Sequence, residues 1–187
     1  MKKYTVIGID EAGRGPLAGP VSVGAVAMTS RPRFLKGIKD SKKLSAKQRE
    51  EWAEILYEKF ECHCVMIGPK IIDKIGISKA LRRAIVKVLC KFNFKPGLVL
   101  LDGSLFAPKN YNQRTIIKGD EKIPLISAAS IIAKTTRDAE MLKLHKKFPQ
   151  YCFDKHKGYG TKLHYKMLRR HGLCPIHRRS FCGRISR

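Results

Sequence analysis

The sequence predicts an α/β domain, a sheet with helices packed on it. Three observations carry this. Short apolar, β-branched runs such as Tyr4–Ile9 and Val21–Met28 read as strands. Segments with apolar residues at helical spacing lie between such runs. Leu98–Leu101 is apolar at every position, the pattern of a strand covered on both faces. Strands alternating with helices give a layered architecture.

The elements follow in order. Tyr4–Ile9 is a strand, and Gly13, Gly15, Pro16, Gly19 and Pro20 punctuate a turn after it. Val21–Met28 returns beside it as a hairpin. Ser45 stands three residues before Gln48, a capping box. Trp52, Ile55, Leu56 and Phe60 then recur at helical spacing, so the helix runs to about Phe60. Cys62–Ile67 alternates and is a third strand. Ser78 is expected to cap the next helix, with Leu81, Ala84, Ile85, Val88 and Leu89 on its buried face. Leu98–Leu101 is the fourth strand and Thr115–Ile117 the fifth. A long helix spans Pro124 to Lys147, and Pro149 stops it. Short helical pieces follow, among them Lys162–Arg170, ended by Gly172.

Composition bounds the function. With 187 residues and 43% hydrophobic content, the chain can bury a core, which excludes disorder throughout. Its apolar runs fall short of the ~18 residues a membrane-spanning helix needs. Met1-Lys2-Lys3-Tyr4 leads into an apolar run that soon meets Asp10 and Glu11, a poor signal peptide, so a cytoplasmic protein is expected. Six cysteines without any Cys-x-x-Cys pair read as free thiols, and Cys62-His63-Cys64 reads as strand rather than zinc site.

The balance of 39 Lys+Arg against 15 Asp+Glu gives a net charge of +24. That points to a polyanion, nucleic acid before an anionic membrane, since no basic amphipathic helix with a Trp/Phe/Leu face occurs. From Met141 to Arg187, thirteen Lys+Arg face a single acid, Asp154. Phe148, Tyr151, Phe153, Tyr159 and Tyr165 are interleaved with them. This favours a nucleic-acid groove wall over a merely solvated basic face.

In so basic a chain the few acids are informative. Asp10 and Glu11 close the first strand, Asp102 closes the fourth, and Asp120 lies just beyond the fifth. Buried acids cost several kcal/mol unless protons, partners or metals neutralise them. Strand ends in an open α/β sheet converge on the ligand crevice. Four carboxylates gathered there would attract hard divalent cations such as Mg²⁺ or Mn²⁺. Beside a basic groove, such a cluster suits two-metal phosphodiester hydrolysis, with the ions ~4 Å apart. Acids and glycines also form ordinary turns and caps. From spacing alone, a metal-dependent nuclease and a non-catalytic RNA-binding protein both stay open. The loop Gly13-Arg14-Gly15 touches Asp10-Glu11, and its glycines let backbone approach a phosphate closely.

These residues also carry a resemblance. Gly8-Ile9-Asp10-Glu11-Ala12-Gly13-Arg14-Gly15-Pro16-Leu17-Ala18-Gly19-Pro20-Val21 resembles the opening signature of the ribonuclease HII family. Asp40-Ser41-Lys42-Lys43-Leu44-Ser45 resembles its second motif. Further matches are Asp102-Gly103, Lys118-Gly119-Asp120, Ser127 to Lys134 with Arg137-Asp138, His156-Lys157-Gly158-Tyr159 and His177 to Phe181. They occur in family order over nearly the whole chain. Arg14 between the two glycines, and the short lead before Gly8, favour this family over the related ribonuclease HIII.

The resemblance implies an RNase H-like fold: a five-stranded mixed sheet flanked by helices, with a small helical C-terminal extension. We therefore expect a catalytic domain over residues 1–147 and a basic extension over 148–187 packed on it. It implies cleavage of RNA in RNA–DNA hybrids and incision 5′ of single ribonucleotides in duplex DNA, leaving 3′-hydroxyl and 5′-phosphate ends. Asp10, Glu11, Asp102 and Asp120 match the metal ligands, for Mg²⁺ or Mn²⁺. Gly13, Arg14 and Gly15 match the loop that reads the 2′-hydroxyl. Tyr159 matches the tyrosine that packs at the RNA–DNA junction. Lys42 and Lys43 are expected to touch phosphates, and a monomer is expected. Another RNase H-fold nuclease, acting on branched DNA, is the remaining enzymatic alternative.

Overall fold

The computed structural model describes residues 5–29, 35, 38 and 44–183. Among them, five strands form one sheet in the order β3-β2-β1-β4-β5. The strands are β1 (Val6–Ala12), β2 (Val21–Met28), β3 (Glu61–Ile67), β4 (Leu98–Asp102) and β5 (Gln113–Ile116). β1 runs antiparallel to β2 and parallel to β4, so the sheet is mixed, as expected.

One expectation about β1 is corrected. Asp10 and Glu11 do not end the strand, which continues to Ala12. The antiparallel side pairs on, Asp10 with Gly24 and Glu11 with Val23. Only the parallel side stops, at Ile9 opposite Leu101. The acids therefore lie on ladder-held backbone rather than in a loose turn.

The helices are α1 (Ala46–Lys59), α2 (Pro69–Ile75), α3 (Ile77–Leu89), α4 (Gly119–Lys122), α5 (Pro124–Lys147), α6 (Phe153–His156) and α7 (Lys162–His171). The Ser45 capping box forms in both directions, with Gln48 N–H donating to the Ser45 hydroxyl. Ser78 does not cap α3. Gly76, at φ 79°, ends α2 and starts α3 directly. α2 was not anticipated, because seven residues hold too little periodicity. Pro69 at its first turn was the available signal.

The two faces of the sheet bury different layers. Ile7, Ile9, Val21, Val23, Ala25, Val99 and Leu101 point to α3. The opposite face packs on α5 and α1 through Val26, Leu56, Leu125, Ala128 and Ile132. Each of the Val, Leu and Ile side chains among them contributes ~1.5–3 kcal/mol of burial. The strand covered on both faces is β2, not β4. Leu98 and Leu100 stay half-buried because α5 lies over β1 and β2.

The approach of α5 depends on two glycines. A Cβ at Gly8 would lie 2.5 Å from the Leu125 carbonyl oxygen, and one at Gly24 would lie 2.7 Å from the Ala133 nitrogen. With hydrogen at both positions, the Ala128, Ala129 and Ala133 stretch settles onto the strands. Ser22 Oγ then donates to Ala133 O at 2.9 Å. A third core joins Leu17, Ala18 and Met141 to Tyr151, Phe153, Leu168 and Cys182. It ties the basic C-terminal segment to the loop after β1.

Candidate functional site

Because side chains alternate along a strand, Asp10 shares the α5 face of β1 with Gly8. It is 4% exposed, accepts the Glu11 N–H at 2.7 Å and hydrogen-bonds to the Ser130 hydroxyl of α5. Asp102 ends β4 beside it. Its Oδ1 accepts the Gly119 N–H at 2.6 Å, which fixes the carboxylate against the start of α4. Glu11 stands 3.6 Å from the Arg14 guanidinium. One carboxylate oxygen each from Asp10, Glu11 and Asp102 can be chosen within 4.8 Å of one another.

Burial pushes the Asp10 carboxyl well above its ordinary range, and neighbouring Glu11 and Asp102 add to this against the Ser130 hydrogen bond. Burial also raises Glu11, opposed by Arg14. Three hard oxygen donors crowded together, one of them buried, with protons the alternative neutraliser, fit a divalent cation of the Mg²⁺ type.

Asp120, 3% exposed on α4, lines the same cleft but is not in the close trio. The cleft has a volume of about 460 Å³. Gly13, Arg14, Gly15 and Tyr159 line it too, so every predicted site residue among those described meets in one place. Lys42 and Lys43 lie outside the described residues. Arg49, Ser130 and Lys134 also line the cleft without a role having been read for them. Arg49 was one cation among 39 Lys+Arg, and only folding distinguishes it.

Two buried arginines shape the loop. Gly13 has φ 83°, and a Cβ there would collide with the Arg137 side chain. Arg137 donates to the carbonyls of Pro20 at 2.9 Å and Lys157 at 3.0 Å. Arg178 donates to those of Gly13 at 2.7 Å, Arg14 at 3.0 Å and Gly19 at 3.0 Å. Burial lowers both guanidinium pKa values, that of Arg178 to about 10. Both remain cations: Arg178 holds the Gly13 and Arg14 backbone directly, and Arg137 packs against Gly13 while tying Ala18 and Pro20 to Lys157. Tyr159 is 41% exposed, with the Arg137 guanidinium 5.5 Å from its ring centroid.

The reading of interleaved aromatics as a groove wall is corrected. Tyr151 and Phe153 are core, Phe148 and Tyr165 are partly buried, and Tyr159 alone of the five is exposed. His156, His164 and His177 are buried with them. The six cysteines are free, and burial holds Cys62 and Cys64 as thiols, pushed up to about 12 and about 11.

Sheet order, carboxylates where the parallel pairing of β1 and β4 stops, and a basic surround define the RNase H-like class of metal-dependent nucleases. The sequence matches the family model for ribonuclease HII over residues 7–184, and the chain belongs to that family. It is an endoribonuclease that depends on metal for cleavage. It is 45% identical to the ribonuclease HII of Caldicellulosiruptor bescii over 181 residues, covering 96% of this chain and 87% of that one. With the enzyme of Chlamydia muridarum, identity is 48% over 178 residues, covering 94% and 81%. Among solved structures, the RNase HII in the PCNA complex from Archaeoglobus fulgidus superposes with a TM-score of 0.83 at 28% identity, covering 97% of each chain. Ribonuclease H2 from Pyrococcus horikoshii gives 0.78 at 30% identity, covering 97% and 96%. Among the described residues, no helix is long and apolar enough to cross a membrane.

Proposed function

We propose that the cleft cuts the RNA strand of RNA–DNA hybrids and incises 5′ of single ribonucleotides in duplex DNA, leaving 3′-hydroxyl and 5′-phosphate ends. The observation that carries this is the trio of buried Asp10 and half-buried Glu11 and Asp102, with one carboxylate oxygen of each within 4.8 Å of the others beside the Arg14 loop. With Asp120 they would hold Mg²⁺ or Mn²⁺. A structure of the related RNase HIII from Bst in complex with Mn²⁺ shares the fold, with a TM-score of 0.67 at 19% identity over 91% of this chain and 63% of that one. Bound ions supply Lewis-acid stabilisation of charge at the phosphate and the leaving oxygen.

The chain's own groups do the rest. The Gly13–Gly15 loop, held by Arg178, offers backbone amides and the Arg14 guanidinium to the sugar–phosphate. A 2′-hydroxyl reader is what separates RNA from DNA at a site. Tyr159 presents an exposed ring to the junction sugar. Lys42, Lys43 and the exposed cations of residues 148–187 grip phosphates, with that segment acting as an extension on a catalytic body of residues 1–147. We place the protein in the cytoplasm as a monomer. The test is a DNA duplex with one ribonucleotide, incubated with and without Mg²⁺ or Mn²⁺. Incision on the 5′ side of that ribonucleotide, only with metal, is expected. An uncut duplex, or cutting of an all-DNA duplex at equal rate, overturns the proposal.

A further inference from the structure

The cleft does not end at Arg14. Beyond it a groove of about 240 Å³ opens between α3 and the loop that follows β4. Arg14 lines both, 3.6 Å from Glu11 on one side and donating to Ser104 Oγ at 3.0 Å on the other. The groove floor is apolar, with Leu81 and Leu105 each 3% exposed. Its rim is different. Arg82 stands exposed on α3, and Phe106 is 55% exposed on the loop. An exposed ring and an exposed guanidinium lining one groove match what single strands of nucleic acid are held by, stacking plus a phosphate contact. The surrounding helix adds charge of one sign. α3 exposes Lys79, Arg82, Arg83 and Lys87 and contains no acid.

We propose that this groove is a nucleotide subsite for the cut strand. Arg82 and Ser104 take a phosphate, and Phe106 packs on the face of a base or sugar. The same strand is favoured over its complement by distance. A strand advances ~3.4 Å per nucleotide, and Arg14 joins the groove to a carboxylate of the cutting site. The subsite therefore holds a nucleotide within about three of the scissile phosphate. This rests on the reading of the carboxylate cleft as the cutting site.

The experiment measures affinity by fluorescence anisotropy without divalent metal, so it does not depend on turnover. The probes are duplexes with one ribonucleotide, the ribonucleotide-bearing strand being trimmed from either end one nucleotide at a time. The native protein is expected to lose about tenfold in affinity at one trimming step, the magnitude of a single stacking contact. F106A and R82Q, both at exposed positions, are expected to bind the full duplex about tenfold more weakly and to be indifferent to that step. R82Q should also lower the log–log salt slope by about one. Equal affinity of native protein and variants for the full duplex overturns the subsite, as does an equal loss on trimming in all three. Cleavage of the same duplexes with Mn²⁺ is scored separately. An inactive native protein counts against the proposed function, while the affinity pattern alone decides the groove.

Discussion

A carboxylate as buried as Asp10 is a poor anion without a counter-charge, and Glu11 and Asp102 beside it are of the same sign. That arrangement costs stability and is useful only if a cation arrives. Asp10→Asn keeps the shape and removes the charge. It is expected to reduce metal-dependent cleavage at least ~10³-fold, while duplex affinity, set by basic side chains elsewhere, changes little. Gel-resolved cleavage and anisotropy on one preparation check both. Retained activity would show that Asp10 is not a ligand. Tyr159 makes a subtler prediction. Tyr159→Ala should narrow the ratio of cleavage at a ribonucleotide to cleavage at a deoxyribonucleotide, measured on matched duplexes. An unchanged ratio would remove Tyr159 from junction reading.

The histidines of the C-terminal segment form a different kind of residue-scale device. Cys174 N–H donates to His177 Nδ1 at 2.9 Å, so the His177 proton sits on Nε2 and points to His164 Nε2, 3.0 Å away. His164 Nδ1–H in turn donates to the Tyr159 carbonyl at 2.9 Å. Burial depresses both imidazoles to about 4. Unfolded histidines take up protons near pH 6.5. Between about pH 6.5 and 4 the unfolded chain therefore binds more protons, and stability falls as pH falls through that window. The loss is up to about 3 kcal/mol per imidazole. Urea midpoints measured from pH 7 to 4.5 should fall, and His177→Gln should flatten the slope while lowering stability at pH 7. A pH-independent midpoint in the native protein would contradict the buried neutral pair.

At the scale of elements, the decisive contact is α5 on β1 and β2. Local pattern showed that Pro124–Lys147 is a helix, and it is one. It did not show that Gly24 and Gly8 are the places where this helix touches the sheet. Gly24→Ala puts a methyl against Ala129 and Ala133 backbone that cannot rotate away. Overpacking of this kind costs ~1–3 kcal/mol, which lowers the melting temperature by about 2–12 °C in a chain of this size. Activity should fall further than stability, because α5 carries Ser130 to Asp10. Gly68→Ala, where a Cβ meets nothing within 4 Å, is the control. Equal melting temperatures for the two variants would sink this account of the packing.

The same scale explains what was misjudged. Sequence pattern ends β1 three residues early, at Ile9 rather than Ala12, because Asp and Glu are poor strand residues, yet ladder pairing to β2 outweighs that preference. Ser78 looked like a cap by type, but Gly76 supplied the turn by its left-handed backbone. α2 is too short to announce itself. Capping at Ser45 was legible because it needs only residues three apart.

For the whole molecule, the net charge of +24 makes duplex binding electrostatic and steeply salt-dependent. Affinity should drop about 10³-fold or more between 50 and 200 mM salt if six phosphates are neutralised. Among the cations of the basic segment, the fold divides labour. Lys162 is exposed, and Lys162→Gln should lower the salt slope by up to about one. Arg178 is buried on loop carbonyls, so Arg178→Lys should leave the slope unchanged and lower the cleavage rate instead. A weak salt dependence in the native protein would contradict the phosphate-grip reading.

Strands, most helices, the carboxylates and the glycine loop could all be read from the chain, because each rests on composition or on neighbours a few residues apart. Three-dimensional packing alone decided that Asp102 meets Asp10 while Asp120 stands outside the close trio. It also decided that Arg178 holds Gly13 while Arg137 ties Pro20 to Lys157, and that Tyr151 and Phe153 are core rather than groove. The reason is physical. Periodicity and capping are local properties of a chain, whereas burial and close approach between residues far apart in sequence exist only once the layers have closed.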